Sequence, residues 1–233
     1  MWTYRLKYAK RGRIRFISHL DVMRALVRAL SRTGLPLVYT EGFNPRPKIT
    51  MGAALPLGYE SEAEYVDFTF AHAFSVTMVK DRLAPLLPEG LDLLALAPVD
   101  PSSPRLSSAT SALYMVQLKR EPTEVGKDIE EFCAKETALI ERVRKDTSDI
   151  IDVKQFVKDL RTETRADGRW LRMEITLGGR GSCSAAEVAQ AVLHLSPDEA
   201  KCLHIVRTEM RFSGRPLRME NAKEQEEEIK ESR

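Results

Sequence analysis

Apolar and polar residues alternate from the first residues of the chain. Trp2, Tyr4, Leu6 and Tyr8 interleave with Thr3, Arg5, Lys7 and Ala9. A period of two predicts a strand with an aromatic face and a basic face. Lys10-Arg11-Gly12-Arg13 turns the chain. Ser18 precedes an apolar run and is followed three residues on by Asp21, a relative of the capping box that starts a helix near His19. Leu20, Met23, Leu26, Val27 and Leu30 then fall on one helical face. Gly34 supplies a stop, and Pro36 prevents continuation. Leu37–Thr40 and Glu64–Phe70 read as strands joined by a long basic loop, with room for a further strand around Ile49–Ala53. Ser75 caps a second helix ending between Pro85 and Pro88, and Leu91–Ala97 is a strand. The order β-α-β-β-α-β is the ferredoxin-like arrangement.

The stretch 98–110 holds three prolines and four serines and reads as a linker. The pattern then recurs. Ala112–Lys119 alternates as a strand, and Thr123–Glu136 is helical with Ile129, Phe132 and Cys133 inward. Ala138–Arg144 reads as a strand, while Ile151–Leu160 fits either a strand or a short helix. Trp170–Leu177 is a strand, Ala185–Leu195 a helix and Leu203–Phe212 a last strand. The expected class is α+β, two tandem ferredoxin-like units. Their expected ranges are a basic domain over 1–97, the linker 98–110, a second domain over 111–217 and an acidic, disordered tail over 218–233.

Composition narrows the function classes. Of 233 residues, 43% are apolar, enough for a core. No apolar run approaches the roughly 18 residues of a membrane span, and the N-terminus lacks a secretory h-region. The expected location is the cytoplasm. Cys133, Cys183 and Cys202 are too widely spaced for a zinc knuckle or a disulfide framework, so no cofactor is expected. The net charge of +2 conceals an asymmetry: residues 1–48 carry eleven Lys or Arg against Asp21 and Glu41, whereas 219–233 carries six Glu against three cations. A basic head attracts phosphate.

Several residues could use that field. Arg24, Arg28 and Arg32 form an i, i+4, i+8 stripe able to meet successive phosphates. A solvated helix face is the plainer explanation, weighed against the nearby Arg13 and Arg15. The loop Gly42–Lys48 offers Phe43 for stacking on a base, Asn44 for a base edge, and Arg46 and Lys48 for phosphate. Its alternative is a loop ordered by packing. His19, at a helix N-terminus that would lower its pKa, could serve as a general base with Tyr8 or Tyr39; a local packing histidine is the alternative. Gly179, Arg180, Gly181 and Ser182 precede a helix as in an anion nest, though without a P-loop ending. Glu60, Glu62, Glu64 and Asp67 would suit magnesium, but alternating acids on an exposed strand edge explain them more simply.

Ser18-His19-Leu20-Asp21, Arg24, Arg28-Ala29-Leu30, Leu35-Pro36, Gly42–Ile49, Leu55-Pro56-Leu57-Gly58 and Glu64-Tyr65 together resemble the radical-SAM-linked proteins, a bacterial domain of unknown function. The likeness is dense over roughly residues 4 to 70 and thins beyond about 110. Members often carry His where this chain has Arg46. The resemblance implies a radical SAM protein as partner, and since this chain has no tight three-cysteine motif, it implies the companion and not the radical generator. A more distant similarity to CRISPR repeat-processing endoribonucleases implies RNA binding by tandem ferredoxin-like domains. That architecture carries a C-terminal glycine-rich loop, which makes Gly179–Ser182 a secondary contact. The expected function is an RNA-binding accessory protein that presents substrate to a radical SAM enzyme. The rivals are a metal-independent endoribonuclease using His19, and a protein-only adaptor that docks through the aromatic strand face.

Overall fold

The computed structural model describes residues 1–144, 147–178, 181–213, 215, 216 and 219. The expected tail 218–233 lies outside them apart from Met219. Two compact units divide the chain, and the division falls between Ala109 and Thr110. Both are α+β with antiparallel strand pairing.

The first unit runs β1 (Trp2–Lys10), α1 (His19–Arg32), β2 (Ile49–Met51), β3 (Glu60–Phe70), α2 (Val76–Leu83) and β4 (Leu91–Pro98). Its strands lie in the order β4-β1-β3-β2. The register of β1 on β3 sets Tyr4 opposite Phe68, Arg5 opposite Asp67 and Leu6 opposite Val66. Tyr4, Leu6 and Tyr8 then share a core with Val66, Phe68 and Phe70, covered by Leu26 and Leu30 of α1 and Val79 and Leu83 of α2. The Tyr4 hydroxyl donates to the Phe74 carbonyl at 2.6 Å and accepts from the Phe74 amide at 2.8 Å, so its polar end is satisfied inside.

Helix α1 begins as its sequence dictates. The Ser18 Oγ accepts from the Asp21 amide at 3.2 Å. Beyond the helix, Gly34 takes the left-handed conformation (φ +72°) that a side chain would resist. The buried face is Val22, Ala25, Leu26, Ala29 and Leu30, rotated from the expected one: Leu20 is exposed and Met23 and Val27 are half-buried. The two alanines decide this, since they let the helix approach the sheet closely.

Three expectations about the first unit are corrected. Most of the aromatic strand face is not a surface, because the helices cover Tyr4, Leu6 and Tyr8 and leave Trp2 exposed. The strand's other face is not freely basic either. Arg5 is 3% exposed and bound bidentately to Asp67 at 2.7 and 2.8 Å, and Lys7 is half-buried. At the strand's end Lys10 donates to the Ile17 and Arg15 carbonyls at 2.9 and 3.3 Å. Finally, β3 is no exposed edge, since β1 and β2 flank it. Within the expected linker 98–110, the Val99 amide donates to the Thr3 carbonyl, and Leu106 is buried.

The second unit runs β5 (Ala109–Gln117), α3 (Pro122–Ala134), β6 (Leu139–Arg144), β7 (Thr147–Asp152), β8 (Val157–Arg165), β9 (Gly168–Thr176), α4 (Ala185–Leu193), α5 (Pro197–Lys201) and β10 (Ile205–Phe212). Strands β10-β5-β9-β8 form one path, and β6 pairs with β7 as a separate hairpin. The ambiguous stretch Ile151–Leu160 resolves into the end of β7, a 3-10 turn at Lys154–Phe156 and the start of β8. Helix α3 buries Val125 and Phe132 but exposes Cys133, which the expected inward face included.

The Arg5–Asp67 pair separates a buried bond from an exposed one. Asp67→Ala leaves Arg5 buried without its partner and should lower unfolding free energy by about 3 kcal/mol or more. Arg11 pairs with Glu62 at 2.9 Å, each side chain about half exposed, and Arg11→Ala should cost under about 1 kcal/mol. Urea denaturation of both variants checks the contrast.

Candidate nucleic-acid interface

The region between α1 and β2 is a structured projection. Val38 donates its amide to the Thr69 carbonyl and Lys48 donates to the Val38 carbonyl, which ties both legs near the end of β3. Further out, the Thr40 amide donates to the Arg46 carbonyl at 2.8 Å, the Arg46 amide donates to Thr40 Oγ1 at 3.1 Å, and Tyr39 bridges Pro47. The expected strand Leu37–Thr40 is therefore one leg of a hairpin excursion with only isolated bridges, and the strand proper is β2. Two prolines explain it: Pro45 and Pro47 have no amide hydrogen and cannot extend a ladder.

The tip is Glu41-Gly42-Phe43-Asn44-Pro45, exposed at every residue. Phe43 is as open to solvent as in an extended chain. A phenylalanine left in water forgoes roughly 1.5–3 kcal/mol of burial. Packing thus does not hold this loop; its backbone bonds and prolines do. Arg46 and Lys48 stand beside it, exposed.

Lys10 is held by backbone carbonyls and Lys7 is half-buried on β1; the other nine cations of the head divide into two sets. Asp67 takes Arg5, Glu62 takes Arg11, Glu60 takes Arg15 at 3.4 Å, and Asp21 takes Arg24 at 3.0 Å. The four acids of β3, read as an exposed edge, mostly serve this neutralisation; Glu64 is buried. The Ser18 hydroxyl and then the Arg24 guanidinium hold the Asp21 carboxyl below its ordinary pKa. Arg13, Arg28, Arg32, Arg46 and Lys48 form the second set: all are exposed, and their side chains have no partner among the described residues. Arg24, Arg28 and Arg32 do lie on the outer face of α1. Leu37 at the hairpin's base lies five chain steps beyond Arg32, a span of at most about 18 Å.

His19 is half-buried at the first residue of α1. Neither it nor Tyr39 has a side-chain partner among the described residues. Tyr8 is buried in the core and unavailable to a solvent-facing site, so that part of the expected constellation is corrected.

In the glycine-rich turn of the second unit, the helix that follows is capped by its own residues. Gly179 and Arg180 lie outside the described residues. Gly181 and Ser182 lead into Ser184, which caps α4 by accepting from the Glu187 amide, while Glu187 accepts from the Ser184 amide at 2.7 Å. Arg142 reaches across from β6 to bind both Glu187 oxygens and the Ser182 carbonyl at 2.7 Å. The helix end has its own carboxylate, a signal legible in Ser184-x-x-Glu187 and missed. Burial pushes the Cys183 thiol up. Among the described residues no group of three His, Cys, Asp or Glu could hold a metal ion, and no helix is long and apolar enough to cross a membrane.

The folds define an α+β protein with antiparallel sheets and few helices. The chain belongs to the family described as "Uncharacterized protein conserved in bacteria (DUF2344)", whose model matches residues 3–188. No curated protein matches it. Among solved structures, a provisionally named glycine cleavage system transcriptional repressor is similar over 88% of this chain and 94% of its own, at 10% identity and a TM-score of 0.25.

The Glu187 carboxyl gives a pH prediction. Burial pushes it up, but the bonds from Arg142 and from the Ser184 amide and hydroxyl outweigh this and hold it below its ordinary value. A depressed folded pKa contributes stability that is complete above the unfolded value, about 4.3, and fades as pH falls through the lower folded value. Glu187→Gln should therefore cost about 1–2 kcal/mol at pH 7, and the gap to the parent should narrow below about pH 4. Urea titrations at stepped pH check this.

Proposed function

We propose that the protein is a cytoplasmic RNA-binding accessory protein that presents RNA to a radical SAM partner enzyme. RNA meets the hairpin of residues 39–47 and the outer face of α1. One observation carries the RNA reading: Phe43 stands free at the tip of a braced hairpin whose following leg carries Arg46 and Lys48, side chains with no ion-pair partner among the described residues. A ring in water offers a base its π-face, and Arg46 and Lys48 stand where phosphates would follow. The radical SAM half rests on the sequence resemblance across Ser18 to Tyr65 alone.

The strand orders support reading both units as ferredoxin-like. In the first, β3 lies between the two strands of the split β1-α1-β2 unit. In the second, β10-β5-β9-β8 repeats that order, with the β6–β7 hairpin inserted between α3 and β8.

A second reading, a protein-only adaptor, draws on a different patch. Phe16, Leu20 and Leu57 are each more than half exposed, and the chain at Gly58 is tied to Arg15 by a 2.9 Å amide bond. Exposed apolar groups of this kind suit a protein surface.

Binding of single-stranded RNA across a salt series separates the readings. Arg28→Ala, Arg46→Ala and Lys48→Ala should each weaken binding and reduce the salt slope by about 0.7 per lost phosphate contact. Phe43→Ala should cost roughly 1–3 kcal/mol of binding with the slope unchanged, and leave thermal stability unaltered. Absence of RNA binding at low salt favours the adaptor. Metal-free cleavage that is lost in His19→Ala favours the endoribonuclease.

A further inference from the structure

The second unit holds a cavity of about 520 Å³, within the range of small-molecule sites, between the end of β5, the α4–α5 connection and the start of β10. Its walls are leucines: Leu118 and Leu193, both nearly buried, with Leu195 and Leu203 half-buried beside them. We infer that this cavity binds a small apolar acid, its hydrocarbon body among the leucines and its carboxylate at Lys119.

The polar rim decides the ligand's charge. Glu199 is the one lining carboxylate, and its Oε2 already accepts from the Ser196 amide at 2.8 Å and hydroxyl at 2.7 Å to cap α5. Arg120 also lines the cavity, but its charge is paired with Asp128 at 2.6 Å and Glu124 at 3.6 Å. Gln117 Oε1 faces His204 Nδ1 at 3.3 Å. Lys119 remains: it is exposed, and its ammonium has no partner among the described residues. An apolar chamber with one uncommitted cation at its mouth selects a hydrocarbon with one negative end. An amine of the same length would meet Lys119 with like charge.

The cavity carries its own reporter. The Trp170 ring lies 5.7 Å from the ring of His204, a lining residue. In a Trp2→Phe background, Trp170 emission is titrated with hexanoate and, separately, with hexylamine. Hexanoate should change the emission saturably at millimolar concentration, and hexylamine should bind at least ten-fold more weakly. Lys119→Glu, an exposed change, should weaken hexanoate by at least ten-fold, and Leu195→Phe should abolish it by filling the chamber. If Leu195→Phe does not fold, the acid–amine pair and Lys119→Glu decide. No saturable response to hexanoate, equal binding of acid and amine, or unaltered binding in Lys119→Glu overturns the inference. The proposed RNA contacts lie in the first unit, so failure of one reading leaves the other standing.

Discussion

The first unit depends on the register of β1 against β3. That register places Arg5 against Asp67 on one face and Tyr4, Leu6 and Tyr8 under the helices on the other. A slip of one residue would exchange the faces, sending the aromatic residues outward and the arginine into the apolar core. The bidentate pair resists such a slip, because a buried guanidinium without its carboxylate costs several kcal/mol. The Phe74 contacts of the Tyr4 hydroxyl fix the same register from the core side.

The same pairing defines what remains on the surface. Strand β3 brings its acids to the basic head and neutralises part of it, and Asp21 holds Arg24. The head's formal charge therefore overstates its attraction for phosphate. What survives is a smaller set, Arg13, Arg28, Arg32, Arg46 and Lys48, gathered on the outer face of α1, the turn before it and the legs of the hairpin. The hairpin's rigidity comes from backbone bonds to Thr40, Val38 and Thr69 rather than from Phe43, which leaves the ring free for a partner.

Much of the first unit was legible in the sequence, because alternation, caps and a glycine stop are local signals. Ser18 and Ser75 both cap helices as read, and β1, β3 and β4 lie close to their expected ranges. The errors came from tertiary effects. Which face of α1 turns inward was decided by Ala25 and Ala29, residues too small to stand out in a hydrophobic pattern. The fate of the head's charge was set by acids some fifty residues away in β3, which counting charge along the chain does not pair. In the second unit the β6–β7 hairpin interrupted the pattern, so β8 was obscured. The exposure of the Phe43 tip was legible from its prolines and glycine, and the Ser184–Glu187 cap of α4 was legible too, whereas the clamp of Arg142 on Glu187, forty-five residues away, was not.

Ultraviolet crosslinking of the whole protein to single-stranded RNA, with the attachment site read by mass spectrometry, tests the central claim most directly. The account predicts a crosslink at Phe43, with further attachment confined to the hairpin and the outer face of α1. Crosslinks elsewhere with none in residues 39–48, or no crosslinking at low salt, would contradict it.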